Sequence, residues 1–480
     1  MINYCFDYDL FDETFKIKDK NSNMNLKHHT RNMFKLFPYL TSGKKISPID
    51  LYPEEIVCEF VKTILNIECK LPNFDEITNS IDVEIEEEYE GYFKNIISNI
   101  FFNDGNFKAN NIALYKFHSF SSQKDVPYRE VISSSEISLI KDLCEFLVSV
   151  FDVDEEVKIC LKKAMENYEP NVLESLMIDV LGKYVNNTDG KRENYFVIHS
   201  ETAKKFKEDL LFMLENGMTD YSNFINLISI YYLNYVAQTC FILNRFCNVD
   251  RSESMKLYFG LDWEKISLNR DCCKNGWKLI KPLIENMFSH AVTLEILNQI
   301  TDSTVKYDYI KLGQLAKSDK TLDIQLANEI NKATLYYVSK IKDCPQLSEV
   351  EKIQYGTQTE TEIQYLFSCI KEQFVNTSRH RAQEKYAEKF ELFCKTRWLK
   401  NRRKAGLVLN LTEQDIIFLT KISIKNQSKI RLNLLFVEFE KRGISLDNTS
   451  KEMLTQYFSQ LNLIDKKSDS GDAQYVKQIL

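Results

Sequence analysis

The sequence predicts a mainly α-helical protein with a multi-helix body, a small mixed α/β amino-terminal part and a carboxyl-terminal winged-helix domain. Turn-forming residues are scarce, because only 13 Gly and 8 Pro occur in 480 residues. Amphipathic runs with helical spacing dominate from residue 136 onward. Over residues 411–480, three short helical patterns precede two strand-like segments, and this order of elements is typical of a winged helix.

Hydrophobic spacing predicts two of the three carboxyl-terminal helices. Leu432, Leu435, Phe436 and Phe439 recur at i, i+3, i+4 and i+7. The segment 454–461 repeats this apolar stripe with Leu, Tyr, Phe and Leu. Each segment therefore offers one apolar face, and we expect the two faces to share a core.

Capping residues mark where these helices begin and end. Thr412 is the predicted N-cap of a less regular helix over residues 412–424, and residues 449–452 have the form of a capping box. Gly443 is predicted to end the middle helix. Residues 463–479 read as strand, turn and strand, which we interpret as the wing.

The chain is long enough for roughly two to four folding units. A polar stretch over residues 119–135 is the first predicted linker, and a hairpin is predicted around residues 103–105, with strands over residues 100–102 and 112–117. Four regions are expected: a mixed α/β region over 1–130, a helical middle domain over 136–358, a long basic helical connector over 359–405, and the winged-helix domain over 406–480.

Charge is distributed unevenly along the chain. Residues 371–480 contain 21 Lys and Arg against 13 Asp and Glu, a net charge of +8, whereas the preceding residues carry −15. The most acidic stretch, residues 82–90, holds six carboxylates and is interpreted as a solvated surface. A basic carboxyl-terminal end can approach phosphates, while the acidic body limits indiscriminate binding to nucleic acid.

Cysteine usage and hydropathy indicate a cytoplasmic protein. The 12 Cys are scattered without a metal-type CxxC pair, and neither a secretory signal nor a disulfide framework is visible. Residues 221–244 carry no charged side chain, so a membrane span has to be weighed. Asn226, Asn234 and Gln238 would need partners in hydrocarbon, which favours a buried core helix. We expect no membrane association.

The strongest chemical signal is a run of cations without an acid. On a helix they would spread around much of the circumference, so a phosphate-tracking face and a merely solvated helix both remain open. The predicted wing adds two lysines, but its acidic tip leaves docking on DNA or on protein equally open. The candidate DNA-binding residues are Lys395, Arg397, Lys400, Arg402, Arg403, Lys404, Lys466 and Lys467.

Common enzyme motifs are missing, so we expect no cofactor and no resident metal. The chain has no GxxxxGKS/T loop, no HExxH and no GxSxG. The adjacent His28 and His29 are a weak metal-site candidate. Two sets have the spacing of a metal-dependent nuclease, although such matches arise by chance in a chain rich in Asp, Glu and Lys: Asp50 with Glu68 and Lys70, and Asp142 with Glu156 and Lys158.

Several segments are similar in sequence to members of one bacterial family. They include GLVLNLT at residues 406–412, LFVEFEKRG at 435–443, LNLIDKKSDSGDAQYV at 461–476 and LYFGLDWEK at 257–265. On these segments the chain resembles the DptG family of DNA phosphorothioation-dependent restriction proteins. The resemblance covers about half of the chain and adds little over the first 200 residues.

The resemblance implies a non-catalytic subunit of a restriction complex that attacks DNA lacking the phosphorothioate mark. It also implies that partner subunits supply ATP hydrolysis and translocation, and it offers no catalytic motif to transfer. Together with the residue patterns, it predicts an adaptor that contacts double-stranded DNA through the cations named above and binds other subunits of the complex. A metal-dependent nuclease subunit and a winged-helix transcription regulator remain the alternatives.

Overall fold

The protein is mainly helical, as the sequence predicts. Helix accounts for 62% of the chain and strand for 7%. The structure is a computed structural model, and it describes residues 4–16, 26–41, 47–103, 106–120, 132–188, 194–300, 305–466 and 474–479. One apolar core runs through these residues from Tyr4 to Val476.

The amino-terminal region is built from short elements. Phe102 pairs with Phe107 in a two-residue antiparallel ladder about the predicted turn, whose residues Asp104 and Gly105 lie outside the described residues. The predicted flanking strands are wrong, because Ile100 and Phe101 end a helix and Tyr115–Phe117 form a 3-10 turn. The elements are α1 (Tyr8–Phe15), α2 (Pro48–Leu51), α3 (Pro53–Leu65), β1 (Ile67–Cys69), α4 (Phe74–Asn79), α5 (Glu90–Phe101), β2 (Phe102–Asn103) and β3 (Asn106–Phe107).

Longer helices make up the middle of the chain, and strand β4 returns to pair with β1. Their bounds are α6 (Ser134–Val150), α7 (Glu155–Glu166), α8 (Val172–Leu181), β4 (Val185–Asn187), α9 (Ser200–Glu215), α10 (Tyr221–Leu243), β5 (Tyr258–Leu261), α11 (Asp271–Lys274), α12 (Trp277–Glu285), α13 (Met287–Leu297), α14 (Tyr309–Ser318) and α15 (Lys320–Lys340).

Helix α10 forms most of the uncharged segment 221–244. It is buried in the core, and two of its polar side chains have protein partners: the Asn234 amide donates to Thr202 Oγ1 at 3.2 Å, and the Gln238 amide donates to the Met255 carbonyl at 2.8 Å. Within the described ranges, no helix is long and apolar enough to cross a membrane. The core-helix prediction is therefore confirmed.

The predicted helical connector is shorter than expected. Two helices, α16 (Gln358–Asn376) and α17 (His380–Arg397), are followed by an antiparallel hairpin of β6 (Leu399–Asn401) and β7 (Leu407–Leu411). The expectation that the whole basic run lies on a helix is therefore wrong. Pairing of Leu399 with Leu409 and a turn at Gly406, whose φ is +73°, outweigh the helix propensity of the cations.

The carboxyl-terminal module has three helices and three paired strands. Strand β11 lies between β10 and β8 in an antiparallel sheet, and Val476 pairs with both Ile464 and Ile430. In chain order the elements are α18 (Glu413–Ile424), β8 (Lys429–Arg431), α19 (Leu432–Lys441), β9 (Ser445–Leu446), α20 (Asn448–Gln460), β10 (Ile464–Lys466) and β11 (Gln474–Lys477).

Two of the three predicted helix boundaries in this module are confirmed. Thr412 caps α18 in a capping box with Asp415, and Gly443 follows α19 with a φ of +82°. The predicted capping box at residues 449–452 is wrong. Asp447 caps α20 instead, because its carboxylate accepts the Ser450 N–H at 3.0 Å while the Ser450 side chain is buried.

A second sheet joins this module to the middle of the chain. Its strand order is β6-β7-β5-β9, and the central strand β5 runs parallel to both β7 and β9. Gly260 pairs with Asn410 on one side, and Phe259 pairs with Leu446 on the other. The backbone of β5 is therefore hydrogen-bonded on both edges by strands that lie more than 140 residues later in the sequence.

Candidate nucleic-acid interface

The basic run forms the turn of the β6–β7 hairpin. The Arg402 N–H donates to the Gly406 carbonyl at 2.8 Å and closes the turn, and residues Arg403–Ala405 form a single 3-10 turn within it. Ala405 packs against a small apolar cluster of Cys272, Cys273 and Val408. The hairpin therefore presents its charged tip from a fixed base.

Arg397 lies inside the protein rather than on a phosphate-facing surface. Its side chain is 20% exposed, donates to the Asn226 side chain and lies 3.7 Å from Asp415. Burial lowers the pKa of Arg397 and raises the pKa of Asp50 and Asp415, which face it. This arginine joins α17 to α10 and α18, so its role in the structure is internal.

Arg402 is also occupied by the chain itself. Its guanidinium donates to Asn410 Oδ1 at 3.0 Å, to the Leu261 carbonyl at 3.0 Å and to the Asp262 carbonyl at 3.2 Å. These acceptors lie at the carboxyl ends of the parallel strands β5 and β7. Arg402 therefore satisfies backbone carbonyls that the sheet leaves unpaired.

The two lysines of the run that precede Arg402 form surface ion pairs. Lys395 lies 2.7 Å from Glu391, one turn earlier on α17, and Lys400 pairs with Asp262. About half of each lysine side chain is exposed. Exposed pairs of this kind contribute little stability, so either lysine can exchange its carboxylate for a phosphate at small cost.

Arg403 and Lys404 are the two predicted residues that the structure leaves exposed at the hairpin tip. Neither has an ion-pair partner among the described residues. Lys265 and Lys274 are exposed and unpaired in the same way. Three of the four cations adjoin members of the apolar cluster under the tip, because Lys265 precedes Ile266, Lys274 follows Cys273 and Lys404 precedes Ala405. The fourth, Arg403, lies in the same turn as Lys404. We call these four residues the basic cluster.

The loop that carries Lys265 is fixed to the start of α20. Arg270 donates to Glu264 at 3.0 Å and to both oxygens of Asp447 at 2.7 and 2.8 Å. Ser450 donates to Glu264 at 2.8 Å, and the two carboxylates raise the pKa of Arg270 despite its partial burial. This network places the basic cluster next to the last helix.

The last helix itself offers few cations. Its exposed residues are neutral or acidic, and its one cation, Lys451, is partly buried and lies 3.8 Å from Glu440. On the three-stranded sheet, Arg431 and Lys477 are exposed. Lys466 lies in β10, and the predicted Lys467 lies outside the described residues. The sheet therefore adds cations that the sequence reading had not selected, whereas α20 adds none without a partner.

The structure does not assemble the candidate nuclease sites. Chain cations occupy their carboxylates: Lys141 lies 3.4 Å from Glu68, Arg31 lies 2.9 Å from Asp142, and Lys207 lies 2.8 Å from Glu156. The His28 ring is hydrogen-bonded to the Tyr337 hydroxyl at 2.8 Å. In the part of the chain that the structure describes, no three His, Cys, Asp or Glu side chains are grouped to hold a metal ion.

Lys265 and Lys274 could not be found by sequence reasoning. They lie about 130 residues before the basic run, and only the pairing of β5 with β7 brings them to it. The sequence signal available was the local charge of the run, and this signal identified Arg403 and Lys404. No protein-family model matches the chain, and no curated protein matches it either.

Proposed function

We propose that this chain is a non-catalytic adaptor that contacts duplex DNA within a bacterial restriction complex acting on DNA without phosphorothioate marks. The observation that carries the DNA contact is the basic cluster, which holds four exposed cations on a fixed hairpin and loop, none with an ion-pair partner in the described part of the chain. The family resemblance of the sequence supports the choice of system. The cytoplasm is then the compartment, because the DNA and the other subunits are there.

The carboxyl-terminal module supports the same proposal. The order α18, β8, α19, α20, β10 and β11, with β8, β10 and β11 in one antiparallel sheet, supports the proposal that this module is a winged helix. Because α20 has no arginine to read a guanine edge, we propose that the module positions the chain and does not select a base sequence.

The proposed contact is electrostatic. Lysine and arginine that bind phosphates release condensed counterions, so the logarithm of affinity falls with the logarithm of salt concentration by about 0.9 for each phosphate contact. Four contacts by the basic cluster predict a slope of about −3 to −4. Since phosphates carry no base information, affinity should be similar for duplexes of unrelated sequence.

The test is a salt series of duplex binding with charge-reversed variants. Arg403→Glu/Lys404→Glu should weaken binding at low salt at least tenfold and make the salt slope shallower by about 2, since two phosphate contacts are lost. Lys162→Glu/Lys163→Glu is the matched control, because both lysines are exposed on α7 and have no ion-pair partner among the described residues.

Three results would contradict the proposal. Equal affinities for the two double variants would remove the basic cluster from the DNA contact. Cleavage of the duplex with Mg²⁺ or Mn²⁺ would favour the nuclease alternative. Tight binding to one short sequence would favour the transcription-regulator alternative. The same series is run on plain and on phosphorothioated duplex. A difference in affinity between the two would show that this subunit senses the mark.

A further inference from the structure

Helix α5 exposes an apolar stripe on the amino-terminal region. Its members are the N-cap residue of the helix and three large side chains within it, which follow one face at spacings of three, four and four residues. The exposed fractions are 53% for Tyr89, 70% for Tyr92, 48% for Ile96 and 39% for Ile100. Single exposed apolar residues are ordinary, but four in a line form a continuous surface. We call these four residues the α5 stripe.

The stripe is not needed to hold α5 in place. The helix is anchored by its other side, where Ile97 and Phe101 are fully buried and the Phe101 ring stacks on Phe107 at 6.5 Å. Lys94 donates to Asn79 at 3.0 Å and ties the helix to α4. The apolar area of the stripe therefore faces solvent without contributing to the core.

Carboxylates lie immediately before the stripe. Six acidic side chains over residues 82–90 are exposed, and none forms an ion pair with another described residue. They are Asp82, Glu84, Glu86, Glu87, Glu88 and Glu90. Such a concentration of like charge is unfavourable when unpaired and repels phosphates and anionic lipid, whereas a cationic partner would relieve it.

We propose that the α5 stripe and its carboxylates bind a basic amphipathic helix of a partner protein. The stripe extends over a rise of eleven residues, roughly 16 Å, which matches apolar contacts at i, i+4, i+7 and i+11 on one partner helix over three turns. Charge complementarity selects a partner whose apolar face is flanked by Lys or Arg. The inference rests on the proposed adaptor role, and it assigns that role a surface separate from the basic cluster.

The test uses a model ligand on the full chain. The probe is a fluorescent 18-residue amphipathic helix of leucine and lysine, and its binding is followed by fluorescence anisotropy at several salt concentrations. Tyr92→Ser/Ile96→Ser should weaken binding at least tenfold, because it removes two central apolar contacts. Glu87→Lys/Glu88→Lys/Glu90→Lys should weaken it by a similar factor without touching the stripe, and should remove most of the salt dependence.

The matched control is Ile159→Ser/Val172→Ser. These residues are 47% and 77% exposed on α7 and α8, beside other carboxylates, so the variant removes similar apolar area elsewhere. Equal probe affinity for the stripe variant and this control would overturn the proposal. So would equal affinity for a probe in which glutamate replaces lysine.

Two further measurements distinguish self-association from partner binding, and failure of this proposal from failure of the DNA-contact proposal. In sedimentation velocity, a wild-type dimer that becomes monomeric in Tyr92→Ser/Ile96→Ser would assign the stripe to a second copy of the chain and overturn the partner proposal. Duplex binding should be unchanged in the stripe variant. Loss of DNA binding in Arg403→Glu/Lys404→Glu with normal probe binding would therefore separate failure of one proposal from failure of the other.

Discussion

Arg442 is an arginine without solvent exposure, and its charge is balanced inside the protein. It donates to both oxygens of Asp209 at 2.7 and 2.9 Å, and to the Ile422 carbonyl at 2.8 Å. The Tyr231 hydroxyl donates to the same carboxylate at 2.6 Å. These bonds join the end of α19 to α9 and α10, and they raise the pKa of Arg442 despite burial.

Breaking this pair should be strongly destabilising. In Arg442→Met the buried Asp209 carboxylate loses both guanidinium hydrogen bonds and keeps Lys425, whose Nζ lies 3.2 Å away. The free energy of unfolding should therefore fall by about 3 kcal/mol, at the lower end of the range for a broken buried pair. Lys441→Met is the matched control, because Lys441 is 57% exposed and its pair with Glu438 is worth under about 1 kcal/mol. Urea denaturation measures both variants. A similar loss in the two would mean that the Arg442 pair does not hold the junction.

Two buried histidines should make the protein sensitive to mild acid. Burial lowers the pKa of His199 to about 4 and of His290 to about 3. The unfolded chain binds a proton on each near pH 6.5, whereas the folded chain does not, so stability is present above pH 6.5 and is lost as the pH falls. At pH 5 each histidine should lower the free energy of unfolding by about 2 kcal/mol relative to pH 7.

The measurement is urea denaturation between pH 7 and pH 5 with a His290→Gln variant. His290 stacks on Phe367 at 4.3 Å and bonds the Tyr309 hydroxyl, so its replacement will also lower stability at pH 7. The informative quantity is therefore the pH dependence, which should be shallower by about 1.4 kcal/mol per pH unit below pH 6. An unchanged dependence would show that His290 titrates normally in the folded chain.

At the scale of elements, Gly443 fixes how α19 approaches the body. It has a φ of +82°, and a Cβ at this position would overlap the side chain of Asn234. Asn234 is buried and bonded to Thr202 and Gln238, so it has little room to move. A glycine is required here for the backbone conformation and also for the close contact.

Gly443→Ala should therefore lower the free energy of unfolding by more than backbone strain alone accounts for. Gly217→Ala is the control, because Gly217 has a φ of +70° but nothing within 4 Å of its added Cβ. Strain in the left-handed region costs both variants roughly 1–2 kcal/mol. Gly443→Ala should lose at least about 1 kcal/mol more by the contact, measured by thermal denaturation. Equal losses of stability in the two variants would show that the Asn234 side chain can move away from the added methyl group without an energetic penalty.

The sequence predicts correctly those elements that depend on interactions between residues close together in the chain. The stripe from Leu432 to Phe439, the Thr412 N-cap and Gly443 all act within a few residues, and the structure confirms them. Sequence reasoning failed at the end of α17, because β6 and β7 form through pairing with distant residues. It also misplaced the cap of α20, since it did not weigh Asp447, which bonds both Ser450 and the distant Arg270.

At the scale of the whole molecule, the carboxyl-terminal module and the body should unfold together. Strand β5 pairs on both edges with strands of that module. All three tryptophans, at positions 263, 277 and 398, lie near this junction, where Trp398 packs on Phe259 and Trp263 on Tyr457. Tryptophan fluorescence therefore reports on the junction, whereas far-UV circular dichroism reports on the helices of the whole chain.

The two signals should give coincident urea transitions, because opening the junction exposes both the core and the buried Arg442 pair. A fluorescence midpoint well below that of circular dichroism would contradict this, and would describe a module that undocks before the body unfolds. The proposed DNA site depends on the same long-range pairing. For this reason the sequence identified only Arg403 and Lys404 of the basic cluster, and Lys265 and Lys274 required the structure.

The most direct test of the DNA contact is hydrogen–deuterium exchange of the full chain with and without a saturating 20-base-pair duplex at low salt. The account predicts slower exchange in peptides covering residues 262–275 and 399–411, where the basic cluster lies. It also predicts that Arg403→Glu/Lys404→Glu abolishes this protection. Protection confined to other segments, or unchanged exchange throughout, would contradict the assignment of duplex contact to this hairpin and loop.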